Sequence, residues 1–268
     1  KMIFMDYKVI SKQITDWIKS YSDNSSTETL VVGVSGGVDS AVVSTLCAMT
    51  QKDVILVGMS IHQNMEQVNL AEKHINNLKS RFDNVKYIEY DLTTVYDQFK
   101  SLNNLKLSDT EQFEFTLSNT RARLRMTTLY NVAGQTNGIV VGTGNKIEDF
   151  GIKFFTKYGD GGVDISPIGD LLKSEVYSLG RSIGVIDGIL NSKPTDGLHD
   201  DGRTDEDQIG ATYDELEWAL MYSMGDDKRE LTKREVEVLD IYNYRNESGK
   251  HKMEMPPVCI VNKIKEEL

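Results

Sequence analysis

The segment at residues 30–47 constrains the fold of this chain more than any other part of the sequence. A short β-branched run at 30–34 is followed by Ser35-Gly36-Gly37 and then by apolar residues at 41–47 that fit a buried helix. Residues 54–59 form another apolar run without polar alternation, which is typical of a strand covered on both faces. Strand, tight turn, helix and buried strand in this order predict a βαβ unit with parallel strands.

The remaining periodicity extends the same pattern. It predicts helices at residues 9–21, 65–81, 117–133, 173–183, 213–224 and 232–246, strands at 85–90 and 139–141, and loops at 98–112 and 193–212. The expected fold class is therefore α/β, with a doubly wound, mostly parallel sheet flanked by helices and a helical C-terminal part. Because no repeat or linker interrupts the pattern, a single domain over residues 1–268 is expected.

Composition narrows the possible functions. The chain has 41 acidic and 30 basic side chains, a formal net charge of −11. This balance argues against a non-specific nucleic-acid or anionic-membrane binder, since both depend on net positive surface. Cys47 and Cys259 lack the spacing of a zinc site or a disulfide framework, and no apolar run is long enough to cross a membrane. We therefore expect a cytoplasmic protein with neither nucleic acid nor membrane as partner.

The turn after the first predicted strand has the composition of an anion-binding loop. Backbone N–H groups and the helix dipole converge there, and adjacent glycines let a phosphate approach the backbone closely. Ser35 and Ser40 add hydroxyl donors, while Asp39 can hold a divalent cation that bridges phosphate oxygens. The residues predicted to bind phosphate are Gly33, Val34, Ser35, Gly36, Gly37, Val38, Asp39 and Ser40. A turn that only caps a helix would explain a lone Gly-Gly pair better than this complete run.

This loop differs from two common nucleotide-binding loops. It is not a Walker A loop, because no lysine lies between Gly33 and Ser40, and it lacks the GxGxxG dinucleotide pattern. Residues 35–40, Ser-Gly-Gly-Val-Asp-Ser, resemble instead the signature of the ATP pyrophosphatases, which cleave ATP between its α- and β-phosphates and adenylate a substrate. NAD, GMP, asparagine and argininosuccinate synthetases and tRNA-modifying enzymes share this signature, so the loop alone does not choose among them.

Two later segments have patterns suited to a ligand. On the helix predicted at 117–133, Arg121 and Arg125 share one face and Arg123 points elsewhere. Such arginines either clamp phosphate or carboxylate oxygens or form a solvated face, and their spacing leaves both open. Residues 154–164, Phe-Phe-Thr-Lys-Tyr-Gly-Asp-Gly-Gly-Val-Asp, make a poor core segment and a good ligand-binding loop, with a surface turn as the alternative.

Residues 154–164 also carry a resemblance to one family. Together with Pro167, Lys173, Pro194-Thr195 and residues 204–207, they resemble the NAD synthetase family in order and spacing from about residue 9 to 252. The resemblance implies an ammonia-dependent ligase. ATP would adenylate the nicotinate carboxylate of nicotinic acid adenine dinucleotide (deamido-NAD), and ammonia would then displace AMP to give NAD. It further implies Mg²⁺, ATP as co-substrate and a homodimer, and the length leaves no room for an amidotransferase domain.

The resemblance also implies roles for individual residues. Gly33 to Ser40, Thr143, Lys173 and Thr195 would contact ATP, and Asp39 with Glu148 would bind Mg²⁺. The residues implied to contact deamido-NAD are Arg123, Lys157, Asp164, His251 and Lys252. As catalytic residues, Lys173 would stabilise the pyrophosphate leaving group, and Asp160 is our candidate for taking a proton from the incoming ammonium.

The sequence departs from the family pattern after Thr143. The family usually has Asp there, followed by His or Asn, small residues and Glu, whereas this chain has Gly144-Asn145-Lys146-Ile147-Glu148. The stretch from Glu148 to Lys157 is also one residue longer than is common. Whether Glu148 is in register as a metal ligand therefore depends on how the extra residue is accommodated.

Two alternatives stay open at this stage. The synthetase portion of a GMP synthetase would share the ATP loop but would leave residues 154–164 unexplained. A non-catalytic nucleotide sensor would keep the loop without the chemistry; intact Asp39, Lys157 and Lys173 argue against it, and the altered segment at 144–148 leaves it open. A tRNA-modifying role is weakest, since the chain has neither a basic tract nor a pair of catalytic cysteines.

Overall fold

The computed structural model describes residues 6–102, 110–192, 204–225 and 229–260. In these residues a parallel sheet forms the centre. Its strands are β1 (Thr29–Gly33), β2 (Asp53–Ser60), β3 (Val85–Asp91) and β4 (Gly138–Val140). They lie in the order β3-β2-β1-β4, and every neighbouring pair is parallel. The predicted doubly wound α/β fold is confirmed.

Helices flank the sheet and continue into the C-terminal part. They are α1 (Tyr7–Asn24), α2 (Val38–Met49), α3 (Met65–Arg81), α4 (Thr93–Leu102), α5 (Thr110–Gln135), α6 (Lys173–Ile183), α7 (Asp187–Leu190), α8 (Asp205–Ile209), α9 (Tyr213–Met224), α10 (Lys233–Ser248) and α11 (Lys250–Met253). A π-helical turn, not predicted from the sequence, spans Lys146–Gly151. Over the described ranges, no helix combines the length and the apolar character that a membrane crossing requires.

Strand β1 shows why its sequence is apolar without alternation. Leu30 and Val32 belong to a large apolar cluster that also includes side chains of α1, α2 and α6. Val31 belongs to a second cluster, formed with Val132 of α5 and with neighbouring strands. All three strand residues are fully buried. Because the sheet is covered on both faces, both sides of the strand need apolar side chains.

The C-terminal helices have a core of their own. Ile209, Leu216 and Val238 pack there with Ile147 and Ile152, which come from the π-helical turn and its end. This turn therefore joins the sheet to the C-terminal helices. Ile147 and Ile152, both buried in this core, hold the turn in place.

The first predicted loop, residues 98–112, was wrong at both of its ends. Helix α4 continues to Leu102, and α5 begins at Thr110. The reason is that α4 has a weak apolar pattern: Tyr96 is buried, whereas Val95 and Phe99 on the same helix are about half exposed. Residues 103–109 lie outside the described part of the chain.

The second predicted loop, residues 193–212, was wrong for residues 205–209, which form α8. This short helix starts at a capping box. The backbone N–H of Asp207 donates to Thr204 Oγ1 at 3.2 Å, and the backbone N–H of Thr204 donates to Asp207 Oδ2 at 2.9 Å. Such a cap starts a helix in a polar sequence that apolar spacing does not reveal. Residues 193–203 are not among the described residues.

Candidate active site

A pocket opens at the carboxyl ends of the parallel strands, where sheets of this type bind ligands. The phosphate loop, defined as residues 33–40, forms one wall. Residues of β2 and α3 form a second wall, and α5 contributes Arg125. Thr143, Asp160 and Lys173 also line the pocket, as the resemblance implied for a shared site. Thr195 lies outside the described residues.

Side-chain hydroxyls and one glycine fix the phosphate loop. The hydroxyls of Ser35 and Ser40 are 3.1 Å apart, and the backbone N–H of Gly37 donates to Ser35 Oγ at 3.2 Å. Gly36 has φ of 89°, and a Cβ there would lie 2.5 Å from the backbone oxygen of Gln67 on α3. Only glycine therefore fits at position 36, both for its backbone conformation and for the close approach of α3.

Lys173 lies at the centre of a buried ion cluster. Its Nζ donates to Asp39 Oδ2 at 2.6 Å and to Glu148 Oε1 at 2.8 Å. Lys173 is the first residue of α6, Asp39 lies in the first turn of α2 and Glu148 lies on the π-helical turn. Lys173 is only 3% exposed, so this pair of contacts is shielded from water. The structure thus brings together three residues that are far apart in the sequence.

Burial and charge act in opposite directions on this cluster. Burial raises the pKa of Asp39 above its ordinary value, although Lys173 opposes this effect. Burial also acts to raise the pKa of Glu148, but Lys173 and the hydrogen bond from Tyr213 outweigh it and leave that pKa lowered. Burial alone would lower the pKa of Lys173, yet the two carboxylates raise it. The carboxylates of Asp39 and Glu148 share the single ammonium group of Lys173. When both are ionised, the cluster has an excess negative charge that a bound cation can balance.

The π-helical turn explains the register of Glu148. The side chain of Asn145 caps the turn by accepting from the backbone N–H groups of Ile147 at 3.1 Å and Glu148 at 3.0 Å. The backbone N–H of Ile152 then donates to Ile147 O at 2.9 Å, a bond across five residues instead of four. A π-helical turn has room for one residue more than an α-helical turn. Glu148 lies on this turn and its carboxylate accepts from Lys173.

Two residues of the site, Tyr213 and Asn145, were not recognised from the sequence. The hydroxyl of Tyr213, on α9, donates to Glu148 Oε1 at 2.5 Å and to Asp205 Oδ2 at 3.2 Å, and its ring lies 4.8 Å from Lys173 Nζ. Asn145 Nδ2 donates to Asp39 Oδ1 at 3.1 Å. No local pattern marks these contacts, because each partner lies in a different element of the fold.

The structure also shows the surroundings of Arg125 and Arg121, which the sequence left open between an anion clamp and a solvated face. Arg125 Nε donates to Met59 O at 3.2 Å and its guanidinium donates to Gln63 Oε1 at 3.0 Å, in the wall formed by β2 and α3. Arg121 is buried over the ring of Tyr96 at 4.9 Å. Arg121 is therefore buried and Arg125 is held in the pocket wall, which a spacing argument alone does not reveal.

The residues implied to contact deamido-NAD form a second group beside the pocket. Arg123 Nε donates to Lys157 O at 3.2 Å, and Lys157 Nζ donates to His251 O. Lys252 Nζ donates to Lys153 O at 2.9 Å and to Phe155 O at 2.7 Å. The C-terminal helix α11 is thereby tied to the glycine-rich loop. Four of the five implied residues are brought together.

Asp164 and Asp160 both help to hold their own loop. Asp164 Oδ1 accepts from the hydroxyl of Tyr130 at 2.9 Å, and its Oδ2 accepts from the backbone N–H of Val140 at 2.7 Å. Asp160 Oδ1 accepts from the backbone N–H of Thr156 at 2.9 Å, while the residue itself lines the pocket. Asp164 therefore anchors the loop to the end of β4, and Asp160 faces the space where substrates would meet.

The geometry agrees with the comparisons to known proteins. The family model for NAD synthase matches residues 10–256. The chain belongs to the NAD synthase family. A protein named NH(3)-dependent NAD(+) synthetase from Carboxydothermus hydrogenoformans is 36% identical over 253 residues, covering 92% of this chain and 96% of that protein. Another of the same name from Alkaliphilus metalliredigens is 34% identical, covering 95% and 99%.

Solved structures support the same assignment. The structure described as NMN synthetase from Francisella tularensis aligns with a TM-score of 0.84 and 29% identity, covering 95% of this chain and 99% of that one. The structure described as NH3-dependent NAD synthetase from Campylobacter jejuni aligns with a TM-score of 0.75 and 26% identity, covering 96% and 100%. Family membership separates the chain from the GMP synthetases and tRNA-modifying enzymes considered above.

Proposed function

We propose that this chain is an ammonia-dependent NAD synthetase. The nicotinate carboxylate of deamido-NAD attacks the α-phosphorus of ATP, and the bond to pyrophosphate breaks. Ammonia then attacks the acyl carbon, AMP leaves with the electrons of the acyl C–O bond, and the nitrogen loses one proton to give the amide of NAD. The observation that carries the proposal is the buried cluster of Lys173 with Asp39 and Glu148 beside the phosphate loop, in a member of the NAD synthase family.

The phosphate loop and Lys173 supply the stabilisation of charge. Backbone N–H groups at the start of α2 are placed to receive phosphate oxygens of ATP, together with the hydroxyls of Ser35 and Ser40. Thr143 lies on the same pocket wall and is proposed as a further ATP contact. The ammonium group of Lys173 is held in place before the substrate arrives, so it can donate to the pyrophosphate oxygens as their charge develops.

The donor set at Asp39 and Glu148 fits Mg²⁺. Across the described residues, no group of three or more His, Cys, Asp or Glu side chains is arranged to hold a metal by protein alone. Mg²⁺ commonly uses one or two carboxylates together with substrate phosphates, which is what this site offers. When bound, the metal would neutralise phosphate charge. Asn145 and Tyr213 would keep the two carboxylates oriented toward it.

The group beside the pocket is proposed to bind the second substrate. Arg123, Lys157 and Lys252 provide cationic groups for phosphates, His251 lies next to them, and Asp164 can accept from a ribose hydroxyl. Asp160 is proposed to take the proton released from ammonium, because its carboxylate faces the pocket and is fixed by the loop. Catalysis would then consist of positioning, charge stabilisation and proton transfer from the nitrogen before and after its attack.

A homodimer is proposed as the working assembly. Helix α4 exposes an apolar stripe at helical spacing, with Val95 50%, Phe99 45% and Leu102 77% exposed. A stripe of this kind on a helix surface is typical of a protein interface. Sedimentation of the active protein as a monomer would contradict the proposal.

Nicotinic acid mononucleotide is a second candidate substrate. The Francisella tularensis structure, described as NMN synthetase, has both the higher TM-score and the higher identity of the two structures compared above. The mononucleotide carries the same nicotinate carboxylate and lacks the adenylate half of deamido-NAD. Both candidates use the same ATP chemistry, so they differ only in what binds beside residues 154–164.

One assay tests both candidates. The full chain is given Mg-ATP with either deamido-NAD or nicotinic acid mononucleotide, and with either ammonium or glutamine as nitrogen donor. We expect AMP and NAD in equal amounts with ammonium and deamido-NAD, and a lower kcat/KM for the mononucleotide. The reverse order of kcat/KM would make the chain an NMN synthetase. Absence of any amidated product while ATP still binds would overturn both and favour the nucleotide sensor.

A further inference from the structure

Arg125 lies where the two parts of the proposed site meet. Its Nε donates to Met59 O at 3.2 Å, at the end of β2, and its guanidinium donates to Gln63 Oε1 at 3.0 Å. A Cβ on Gly33 would lie 3.2 Å from Met59 Cε and 3.5 Å from a methyl group of Leu129, which is one turn further along α5. Because Gly33 begins the phosphate loop, this part of the wall borders the space proposed for the phosphates of ATP.

The same turn of α5 also packs against the loop at residues 154–164. A Cβ on Gly159 would lie 2.9 Å from Ala122 Cβ, and a Cβ on Gly162 would lie 2.9 Å from Met126 Cγ. Glycine at both positions therefore allows α5 to approach this loop closely. The loop is proposed to bind the substrate that carries the nicotinate carboxylate, so the turn that carries the arginine borders the spaces of both substrates.

The course of α5 places Arg125 at the ligand edge of the sheet. Helix α5 leads into β4, and a helix that connects parallel strands runs antiparallel to them. Its earlier turns therefore lie nearer to the carboxyl ends of the strands than its later turns. Leu129 is beside Gly33, the last residue of β1, and Arg125 lies one turn closer to the ligand edge and lines the pocket.

The charge of the pocket favours a cationic contact for the nucleotide. Among the described residues that line it are seven with carboxylate side chains and two with cationic ones, Lys173 and Arg125. Lys173 donates to the carboxylates of Asp39 and Glu148, next to the phosphate loop. A guanidinium remains charged at neutral pH and presents its N–H groups in one plane, which suits the oxygens of a phosphate. Arg125 therefore has the charge and the shape for the point at which the two substrates react.

We infer that the guanidinium of Arg125 donates to a non-bridging oxygen of the α-phosphate of ATP, beside the attacking carboxylate, an inference that rests on the proposed adenylation reaction. A carboxylate oxygen forms a bond to the α-phosphorus, and the bond from that phosphorus to the pyrophosphate oxygen breaks with its electrons. Both reactants are anions, so a fixed cation beside them stabilises the charge that develops on the α-phosphate. Lys173 acts on the pyrophosphate instead.

The same contact persists in the second step of the reaction. Ammonia attacks the acyl carbon, and AMP leaves with the electrons of the acyl C–O bond. Arg125 stays on the phosphate of the departing AMP and stabilises the negative charge that it gains. Because a guanidinium does not lose its proton in a protein, Arg125 takes part in neither step as an acid or a base.

The first test replaces Arg125 by glutamine, which removes the charge. R125Q is expected to lower kcat about a hundredfold, because the charge on the α-phosphate is no longer balanced in the transition state. The KM for Mg-ATP should change by less than about fivefold, since the phosphate loop and Lys173 still bind the triphosphate. Arg125→Lys keeps the charge without the planar group, and kcat should fall about tenfold.

Arg81→Gln is the matched control for loss of an arginine that joins two elements. Arg81, the last residue of α3, donates to Gly184 O at 3.0 Å and to Ile183 O at 2.8 Å. Arg81 is not part of the described lining of the pocket. The kcat of R81Q should therefore stay within about twofold of that of the unaltered chain.

The second test uses sulfur at the α-phosphate to separate a direct contact from a structural effect. ATP with sulfur in place of one non-bridging α-oxygen exists as two diastereomers, and a donor to one oxygen disfavours the diastereomer that has sulfur there. The ratio of kcat/KM between the two diastereomers should fall at least about threefold in R125Q, because the contact that senses sulfur is lost. The ratio in R81Q should equal that of the unaltered chain.

Two results would overturn the inference: an unchanged diastereomer ratio in R125Q, or a kcat within about threefold of the unaltered chain. A loss of kcat with an unchanged ratio would assign Arg125 to support of the pocket wall. If R125Q does not fold, R125K decides by the same ratio. Formation of NAD by the unaltered chain decides the proposed function separately, so the two failures are distinguishable.

Discussion

The phosphate loop and the ion cluster lie at the same edge of the sheet, but different forces hold them in place. The loop, residues 33–40, is one continuous segment whose shape depends on backbone conformation, serine hydroxyls and the packing of α3 against Gly36. The ion cluster of Lys173, Asp39 and Glu148 is assembled from three distant elements by charge and burial. A local motif of this kind is destabilised when its backbone is strained. An assembled ion cluster is destabilised when one of its buried charges is left without a partner.

The largest expected effect is on the ion cluster. Lys173→Met leaves Asp39 and Glu148 buried without a counter-charge, which should lower the free energy of unfolding by about 3–5 kcal/mol. It should also reduce turnover about a thousandfold through loss of a fixed donor to the leaving group. Lys146→Met is the matched control, because Lys146 pairs with Asp170 at the same 2.8 Å but at the surface. Denaturant unfolding should show a cost below about 1 kcal/mol for the control. Equal costs would mean that burial does not distinguish the two pairs.

The phosphate loop should respond to strain instead of charge. Gly36→Ala places a Cβ on a residue with φ of 89°, and this Cβ would lie 2.5 Å from the backbone oxygen of Gln67. We therefore expect the free energy of unfolding to fall by about 3 kcal/mol. Gly37 has φ of −85°, and a Cβ there would meet only Ser35 Oγ at 3.3 Å. Gly37→Ala should therefore cost less than about 1 kcal/mol. Unfolding without nucleotide measures both variants, and similar losses would contradict the separate requirement for glycine at 36.

The helices that carry the loop should be sensitive to acid. His74 of α3 is fully buried; its Nε2 lies 2.8 Å from Ser44 Oγ on α2, and its Nδ1 has no partner. Burial, assisted by Arg81, lowers the pKa of His74 to about 4. The unfolded chain takes up this proton near pH 6.5 and the folded one does not, so stability present above pH 6.5 should fall by about 3 kcal/mol on approach to pH 4. The free energy of unfolding of His74→Gln should vary less with pH over this window. An identical pH dependence would exclude His74 as its source.

The smallest expected effect tests how the C-terminal helices support the ion cluster. Tyr213→Phe keeps the ring beside Lys173 and removes the hydroxyl that donates to Glu148. The Mg²⁺ concentration that gives half-saturation should rise about tenfold, as it does when other groups that orient metal ligands are removed. The free energy of unfolding should fall by about 1 kcal/mol. Binding of Mn²⁺ in the presence of ATP, followed by electron paramagnetic resonance, reports the metal effect without turnover. Tyr242→Phe is the control, because Tyr242 is a buried tyrosine of the same core whose hydroxyl bonds with Ser223. A comparable metal effect in the control would assign the result to packing.

The same contrast explains what the sequence predicts and what it does not. The phosphate loop is a contiguous pattern, and helices α3, α6 and α9 have the bounds that apolar spacing predicts. Lys173 and Glu148 are assigned through resemblance to a family, and the structure places them in contact. Tyr213 and Asn145 have no such signal, because their partners are set by tertiary packing. The capped helix α8 was missed because hydrogen bonds, not apolar periodicity, define its start.

The π-helical turn has a consequence for how this gene could have changed. Inserting one codon into an α-helical segment rotates every later residue by about 100° and would take the glycine-rich loop out of phase with Glu148. Here the turn takes up the added residue within Lys146–Gly151. A turn of this kind has room for one residue more than an α-helical turn, so a residue added within it leaves the segments on either side in their orientation.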